Sequence, residues 1–178
     1  TTSYGDSPYQ SFSARAGNPN FIDFAELIEA GYLEQRDIDG VHLGSDPSNV
    51  DYGAIFGGRR QILDRAAERF AADKPADFDD FIQANEDWLI PYCEFMTVKE
   101  ECGLKAFWEW PAELRTRGEA SAKVCADHPT RMLYHQMTQY FFDRQWSRLK
   151  AYANERDILI IGDLPIYVSR DSVEMWAT

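Results

Sequence analysis

The feature that most restricts the fold of this chain is the apolar run Ile158–Ile161, which a carboxylate, Asp163, follows almost directly. A short apolar run that ends in a turn signal predicts a buried β-strand over 158–162. The amphipathic pattern from Pro129 to about Glu155 predicts a long helix that leads into this strand. Helix, turn, buried strand and carboxylate in this order are typical of α/β barrels, which present polar groups to substrates at the carboxyl ends of their strands. The sequence therefore predicts an enzyme of the α/β class.

The length of the chain limits how much of a barrel it can form. It has 178 residues, which is about one domain, whereas a complete eight-stranded barrel needs roughly 250. The chain starts at Thr1 without a methionine and stops at Thr178 inside a predicted helix start. We therefore expect a segment of a longer protein.

Composition argues against several classes of partner. The chain carries 18 Lys and Arg against 30 Asp and Glu, a net charge of −12, which disfavours nucleic acid and anionic membranes. No apolar run approaches the roughly 20 residues of a membrane span. The three cysteines, Cys93, Cys102 and Cys125, lack metal-type spacing and are expected to be reduced thiols in the cytoplasm.

The middle of the chain is predicted to be helical. Asp23 is placed to cap a helix, with Glu26 completing a capping box and Gly31 ending the helix, and Asp51 is placed to cap a second helix. Residues 34–50 are expected to be loop. Residues 77–101 are expected to form a pair of helices, with Pro91 starting or kinking the second, and residues 112–126 a short helix and loop.

Few residues are candidates for chemistry. Asp163 is either a substrate-binding carboxylate at a strand end or a structural cap of the turn before Leu164, and the local pattern favours neither. The loop Ser7–Gln10 offers a hydroxyl, a phenol and an amide that suit a sugar, but the local pattern favours an ordinary turn. Asp171 is expected to cap a helix together with Glu174.

Other titratable residues give no convincing site. His42, His128 and His135 lack a third ligand at metal-type spacing, so surface or helix-start positions are expected for them. Glu109 lies between two tryptophans, and we expect it to be solvated. No metal site, phosphate loop or dinucleotide motif is predicted.

Several motifs in order resemble one family. They are YGDSPYQSFSA at 4–14, AGNP at 16–19, VDYG at 50–53, IGDLPIYV at 161–168, and DS and WA at 171–172 and 176–177. This set is similar to the 4-α-glucanotransferases, the amylomaltases or disproportionating enzymes. The resemblance implies a fragment of a (β/α)8 TIM barrel with a mainly helical insertion subdomain. It also implies retaining transfer of α-1,4-glucan segments between glucans, by double displacement and without a cofactor or metal.

The resemblance also assigns residues and domains. Tyr4, Ser7, Tyr9 and Asp163 match substrate-binding positions, and the catalytic carboxylates are expected beyond residue 178, so none is assigned here. Residues 1–22 would be a barrel loop with the glucan-binding motif, 23–127 the insertion, and 128–178 a barrel helix, strand and following loop. The expected partners are α-1,4-glucans and maltooligosaccharides, and the sequence does not indicate the oligomeric state.

Two other functions compete with a partial glucanotransferase. One is a non-catalytic α-glucan-binding fragment in which Tyr4, Tyr9 and Asp163 contact the sugar. The other is a helical interaction protein whose motifs match by chance, which the number and order of the motifs disfavour.

Overall fold

The computed structural model describes residue 7 and residues 9–46, 48–163 and 166–178. Seven α-helices form within them: α1 Phe24–Glu29, α2 Gln35–Ile38, α3 Tyr52–Ala72, α4 Phe78–Glu101, α5 Glu119–Asp127, α6 Pro129–Asn154 and α7 Val173–Trp176. Short 3₁₀ turns occupy Pro19–Phe21, Phe107–Glu109 and Ala112–Leu114. None of these helices combines the length and apolarity that crossing a lipid bilayer requires.

The ends of the helices follow local sequence signals. The Asp23 carboxylate accepts from Ala25 N at 2.9 Å and the Asp51 carboxylate from Ala54 N at 2.9 Å, so both act as the predicted N-caps. Gly31 follows α1 with a φ of +82°, a conformation that glycine adopts without strain. The second half of the predicted capping box is wrong: the Glu26 carboxylate pairs with Arg148 of α6 and not with the backbone at the start of its own helix.

The helix α6 lies at the centre of the molecule. Its face of Tyr134, Met137, Tyr140 and Phe141 shares one hydrophobic core with α1 and α3. The middle of α4 packs against α6 and forms, with Trp110 and Trp176, a second core beneath α5 and α7. The core that includes α6 therefore combines residues from both sides of the boundary proposed at 127/128, and the domain limits stay a prediction.

Residues 77–101 form one helix, not a pair. Pro91 lies inside α4, where a proline costs about 3 kcal/mol through its missing N–H and its ring. The side chains of Leu89, Tyr92, Cys93 and Phe95 around it are all buried. Burial of each such side chain contributes about 1.5–3 kcal/mol, which outweighs the cost of the proline.

The expected loop over 34–50 contains the single-turn helix α2. Glu34 N donates to Asp37 Oδ2 at 2.8 Å, and Arg69 of α3 binds the same carboxylate at 2.5 Å. This tertiary ion pair stabilises a turn that the polar, glycine-containing local sequence did not indicate.

The predicted buried strand over 158–162 is wrong for this structure. Its residues have no regular secondary structure and are exposed, Ile161 to 95%. The preceding helix ends in a Schellman-type turn, with Asp157 at φ +57° and a bond from Ile158 N to Ala153 O of 3.0 Å. A strand needs a neighbour that shares its ladder, and the residues described here contain no other strand. The described part is therefore helical, and the α/β barrel stays a prediction for a longer protein.

Candidate functional site

The structure brings Tyr9 and Asp163, two of the predicted substrate-binding residues, into direct contact. The Tyr9 hydroxyl donates to Asp163 Oδ2 at 2.7 Å, although 154 positions separate the two residues in the chain. This bond to a carboxylate raises the pKa of the Tyr9 phenol, so the phenol is protonated at neutral pH. Both side chains are exposed and can offer their remaining acceptor lone pairs to a ligand.

Ser7 belongs to the turn that carries Tyr9. Its hydroxyl accepts from Tyr9 N at 3.3 Å, and its carbonyl accepts from Gln10 N at 3.2 Å. Ser7 therefore fixes the backbone from which the phenol projects. Tyr4, the fourth predicted residue, lies outside the described residues.

Long-range hydrogen bonds fix the loop that carries Ser7 and Tyr9. Glu174 of α7 accepts from Ala14 N at 2.8 Å and from the Ser13 hydroxyl at 3.1 Å. On α6, Gln139 accepts from Gly17 N at 2.7 Å and donates to Gly17 O at 3.1 Å. The prediction that Glu174 caps its own helix together with Asp171 is wrong, because the Glu174 carboxylate binds this loop.

An open cleft of about 730 Å³ lies beside the Tyr9 loop. Its aromatic lining comes from three separate parts of the chain: Tyr9 and Phe12, Trp108, and Tyr167. Arg170 also lines the cleft, with its guanidinium carbon 4.4 Å from the centre of the Trp108 ring. Flat aromatic faces beside hydroxyl and guanidinium donors are the groups that bind the apolar faces and hydroxyls of sugars.

An ion pair between Lys99 and Asp171 forms the floor of this cleft. The Lys99 side chain is only 1% exposed, and its ammonium lies 2.6 Å from Asp171 Oδ2 and donates to Lys105 O at 2.9 Å. Asp171 Oδ1 accepts from Phe107 N at 3.2 Å. The prediction that Asp171 is a helix cap is therefore wrong: Ser172 holds that position, and Asp171 compensates a buried charge.

A second, smaller cavity of about 410 Å³ contains a buried carboxylate, Glu100. Glu100 accepts from Arg60 of α3 at 2.8 Å and from Arg131 of α6 at 2.7 Å, and His135 Nε2 lies 3.1 Å from it. Burial acts to raise the pKa of Glu100, but the His135 contact and the two guanidinium groups hold it well below its usual range. Because three helices meet at this ionised group, we interpret it as a structural centre.

The histidines occupy three different environments. His42 is exposed, and His128 lies at the start of α6, as predicted. The expectation is wrong for His135, which is buried on α6, and burial lowers the pKa of its imidazole. Among the described residues, no cluster of three His, Cys, Asp or Glu is arranged to hold a metal ion.

The cysteines are free thiols in apolar surroundings. Burial raises the pKa of Cys125 to about 11 and also raises the pKa of Cys93 well above its usual range, so neither is a thiolate at neutral pH. Glu109 is exposed, as expected, and its carboxylate accepts from Ala106 N of its own turn at 3.3 Å.

Lys99, Trp108 and Arg170 are the site residues that sequence reasoning missed. The segment around Trp108 was recognisably aromatic, but no pattern indicates which of its two tryptophans lines a cleft. A lysine on an amphipathic helix is expected to be solvated. Its partner Asp171 lies 72 residues away in the chain, so the local sequence does not indicate that Lys99 is buried.

Comparisons with known proteins agree over the full chain. The family model for 4-alpha-glucanotransferase matches residues 1–178. The 4-alpha-glucanotransferase of Streptococcus pneumoniae serotype 4 is 49% identical over 99% of this chain, and that of Thermus thermophilus is 39% identical over 99%. Each alignment covers only 35% of the relative, so the chain spans about a third of the length of these proteins.

A solved structure gives the same result. The amylomaltase from Streptococcus agalactiae in complex with acarbose superposes with a TM-score of 0.91 at 47% identity. The match covers 99% of this chain and 36% of that protein. The helical arrangement described above is thus similar to a part of a larger enzyme.

Proposed function

Because this chain belongs to the 4-alpha-glucanotransferase family, we propose that it is a segment of an enzyme that transfers pieces of α-1,4-glucan between glucans. In this proposal the transfer retains configuration and proceeds through a covalent glycosyl-enzyme intermediate, formed on one carboxylate and assisted by an acid/base carboxylate. Those carboxylates belong to parts of the enzyme outside this chain. The observation that carries the proposal is the family match over all 178 residues.

The role of this segment in the proposal is to bind the glucan. Asp163 and Tyr9 would accept hydrogen bonds from sugar hydroxyls, while Trp108 and Tyr167 would stack against the apolar faces of the sugar rings. The 2.7 Å contact between Tyr9 and Asp163 at the edge of an aromatic cleft supports this role. The acarbose complex of the streptococcal amylomaltase supports an oligosaccharide ligand.

The fold of the complete enzyme is part of the same proposal. Residues 158–163 would form one strand of a (β/α)8 barrel, and the helices of 23–127 would be an insertion between early strands. The exposed apolar side chains from Ile158 to Ile161 support this, because a barrel would pair and cover them. We further propose a cytoplasmic location, consistent with three free thiols and a net charge of −12.

A binding experiment on this chain tests the proposed site. We expect calorimetric titration with acarbose or maltoheptaose to detect binding that Tyr9→Phe and Asp163→Asn each weaken by about tenfold, since each removes a charge-assisted hydrogen bond. The matched control is Tyr152→Phe on α6, because Tyr152 is 56% exposed and Tyr9 is 61% exposed. Equal affinities for all four proteins would contradict the assignment of the site.

The stacking role of Trp108 has its own matched control. Trp108 is 37% exposed in the cleft, whereas Trp146 is 41% exposed on α6 outside it. Removal of a stacking ring costs about 1–3 kcal/mol of binding for flat ligands. Trp108→Ala should therefore weaken acarbose binding strongly and Trp146→Ala should leave it unchanged; the reverse order would exclude the cleft.

A non-catalytic glucan-binding function is the second candidate, and one observation favours it. The cleft and the Tyr9–Asp163 contact form within this segment alone. Both candidates predict that this chain, incubated with maltotriose, binds the sugar without forming longer glucans. The complete enzyme separates them, because only the first candidate expects it to form longer glucans. Disproportionation by this chain alone would overturn the assignment of the catalytic carboxylates to other parts of the enzyme.

A further inference from the structure

We propose that Lys99 and Asp171 are positioning residues that set the distance between the two walls of the glucan-binding cleft. This inference rests on the proposed function and extends it to the ion pair at the floor of the cleft. The walls are the segment of Tyr167 to Arg170 on one side and the turn that carries Trp108 on the other.

The two oxygens of Asp171 hold different parts of the cleft. Oδ2 lies 2.6 Å from the Lys99 ammonium on α4, and Oδ1 accepts from Phe107 N at 3.2 Å. Phe107 begins the 3₁₀ turn whose next residue is Trp108, and Arg170 immediately precedes Asp171. A single carboxylate therefore ties both walls to one helix.

The ammonium of Lys99 is enclosed on all sides. It donates to Lys105 O at 2.9 Å, which fixes the backbone before the Trp108 turn, and it lies 4.7 Å from the Phe12 ring centre. Since the side chain is only 1% exposed, Lys99 cannot reach a bound sugar. Its effect on the ligand must pass through the segments that it anchors.

The contact between the walls depends on this anchor. The Arg170 guanidinium stacks on Trp108 with 4.4 Å between its carbon and the ring centre, and both groups are exposed. Such an exposed cation–π pair is too weak to hold two loops alone. The buried ion pair below it is the stronger constraint, because the interaction of its charges is not screened by solvent.

The test compares variants of the complete glucanotransferase that contains this segment, assayed by disproportionation of maltotriose. Lys99→Met keeps the length of the side chain and removes the charge. Asp171→Asn removes the charge and leaves one acceptor oxygen, so it can accept from the Lys99 ammonium or from Phe107 N but not from both. We expect Lys99→Met to raise KM about tenfold with kcat within about threefold of the parent, and Asp171→Asn to raise KM in the same way.

The matched control is Arg117→Met. Arg117 also pairs with a carboxylate on α4, that of Glu94 at 2.6 Å, but it does not line the cleft. A merely structural role would lower thermal stability and the active fraction, more for the buried Lys99 than for the partly exposed Arg117, without a selective change in KM. Amide exchange at 168–170 gives an independent measurement: it should rise in Lys99→Met and stay unchanged in Arg117→Met.

Each outcome decides the inference. If Tyr9→Phe raises KM but Lys99→Met affects KM no more than Arg117→Met does, the inference is wrong and the proposed function stands. If Tyr9→Phe leaves KM unchanged, the proposed binding site fails and the inference fails with it. Should Lys99→Met be insoluble, Asp171→Asn decides by the same criteria.

Discussion

Lys99 and Glu100 are adjacent on α4, but each belongs to a different buried charge centre. The two centres bury charges of opposite sign and differ in the number of their partners. Lys99 is an almost fully buried cation with one carboxylate partner, Asp171. Glu100 is a buried anion that two guanidinium groups bind, and one of them, Arg131, also binds Asp64 at 2.6 Å. The Glu100 centre therefore has alternative partners, whereas the Lys99 centre has a single ion-pair partner among the described residues.

The comparison explains what each centre can control. The Glu100 centre joins three long helices, α3, α4 and α6, that also share a hydrophobic core. The Lys99 centre joins α4 to two short segments, the turn that carries Trp108 and the residues before α7. Loss of the first should lower stability moderately, whereas loss of the second should displace the cleft.

The largest loss of stability is expected where the buried Lys99 loses Asp171, its single ion-pair partner among the described residues. Asp171→Ala leaves the Lys99 ammonium with a single carbonyl acceptor, and an unpaired buried charge costs about 3–5 kcal/mol. Urea denaturation monitored by tryptophan fluorescence measures the change in the free energy of unfolding. A loss below about 1 kcal/mol would mean that water reaches the ammonium.

Glu100→Gln is expected to lower the free energy of unfolding by less than Asp171→Ala does. The amide still accepts a hydrogen bond, and Asp64 still pairs with Arg131, so the free energy of unfolding should fall by about 1–3 kcal/mol. The same urea experiment measures it. A larger loss than for Asp171→Ala would reverse the proposed ranking of the two centres.

The pH dependence of stability should report the Glu100 centre. Burial lowers the pKa of His135, so the unfolded chain binds a proton more readily than the folded one as pH falls through about 6.5, and stability falls. Below about pH 4.3 the lowered pKa of Glu100 acts in the same direction, because its unfolded form is protonated first.

His135→Gln isolates the first part of this pH dependence. We expect thermal melts between pH 7.5 and 5.5 to lose stability in the parent, with a slope of at most about 1.4 kcal/mol per pH unit from this one group, and to be flatter in the variant. An unchanged slope would show that His135 binds protons equally in the folded and unfolded states over this pH range.

The smallest change in the free energy of unfolding is expected when an exposed ion pair is broken. Arg15 and Asp87 are 2.6 Å apart, but more than half of each side chain is exposed. Asp87→Asn should change the free energy of unfolding by less than about 1 kcal/mol, and any change should vanish at high salt. A change as large as that of Glu100→Gln would mean that burial does not explain the difference between the centres.

Local signals in the sequence predicted much of the helical framework and part of the site. Asp23, Asp51 and Pro129 start helices as expected because capping depends only on nearby backbone groups. The motifs around Tyr9 and Asp163 indicated the family, and the structure places these two residues in contact. The family itself is shown by the comparisons.

Other features could not be predicted because they depend on distant partners. Burial around Pro91 keeps α4 continuous, an ion pair from Arg69 stabilises α2, and the apolar run after α6 has no strand beside it in the part described. The prediction for Asp171 is wrong for the same reason. Whether an aspartate caps a helix or pairs with a cation depends on which groups the fold brings next to it.

The sequence by itself determined where the long helices begin, which face of each is apolar, and to which family the motifs are similar. Only the tertiary structure decided that Lys99 and His135 are buried, that Asp171 and Glu174 bind other segments, and that three aromatic segments line one cleft. The physical reason is range: caps, turns and periodicity act over about one helical turn, whereas charge burial is set by contacts between residues far apart in the chain.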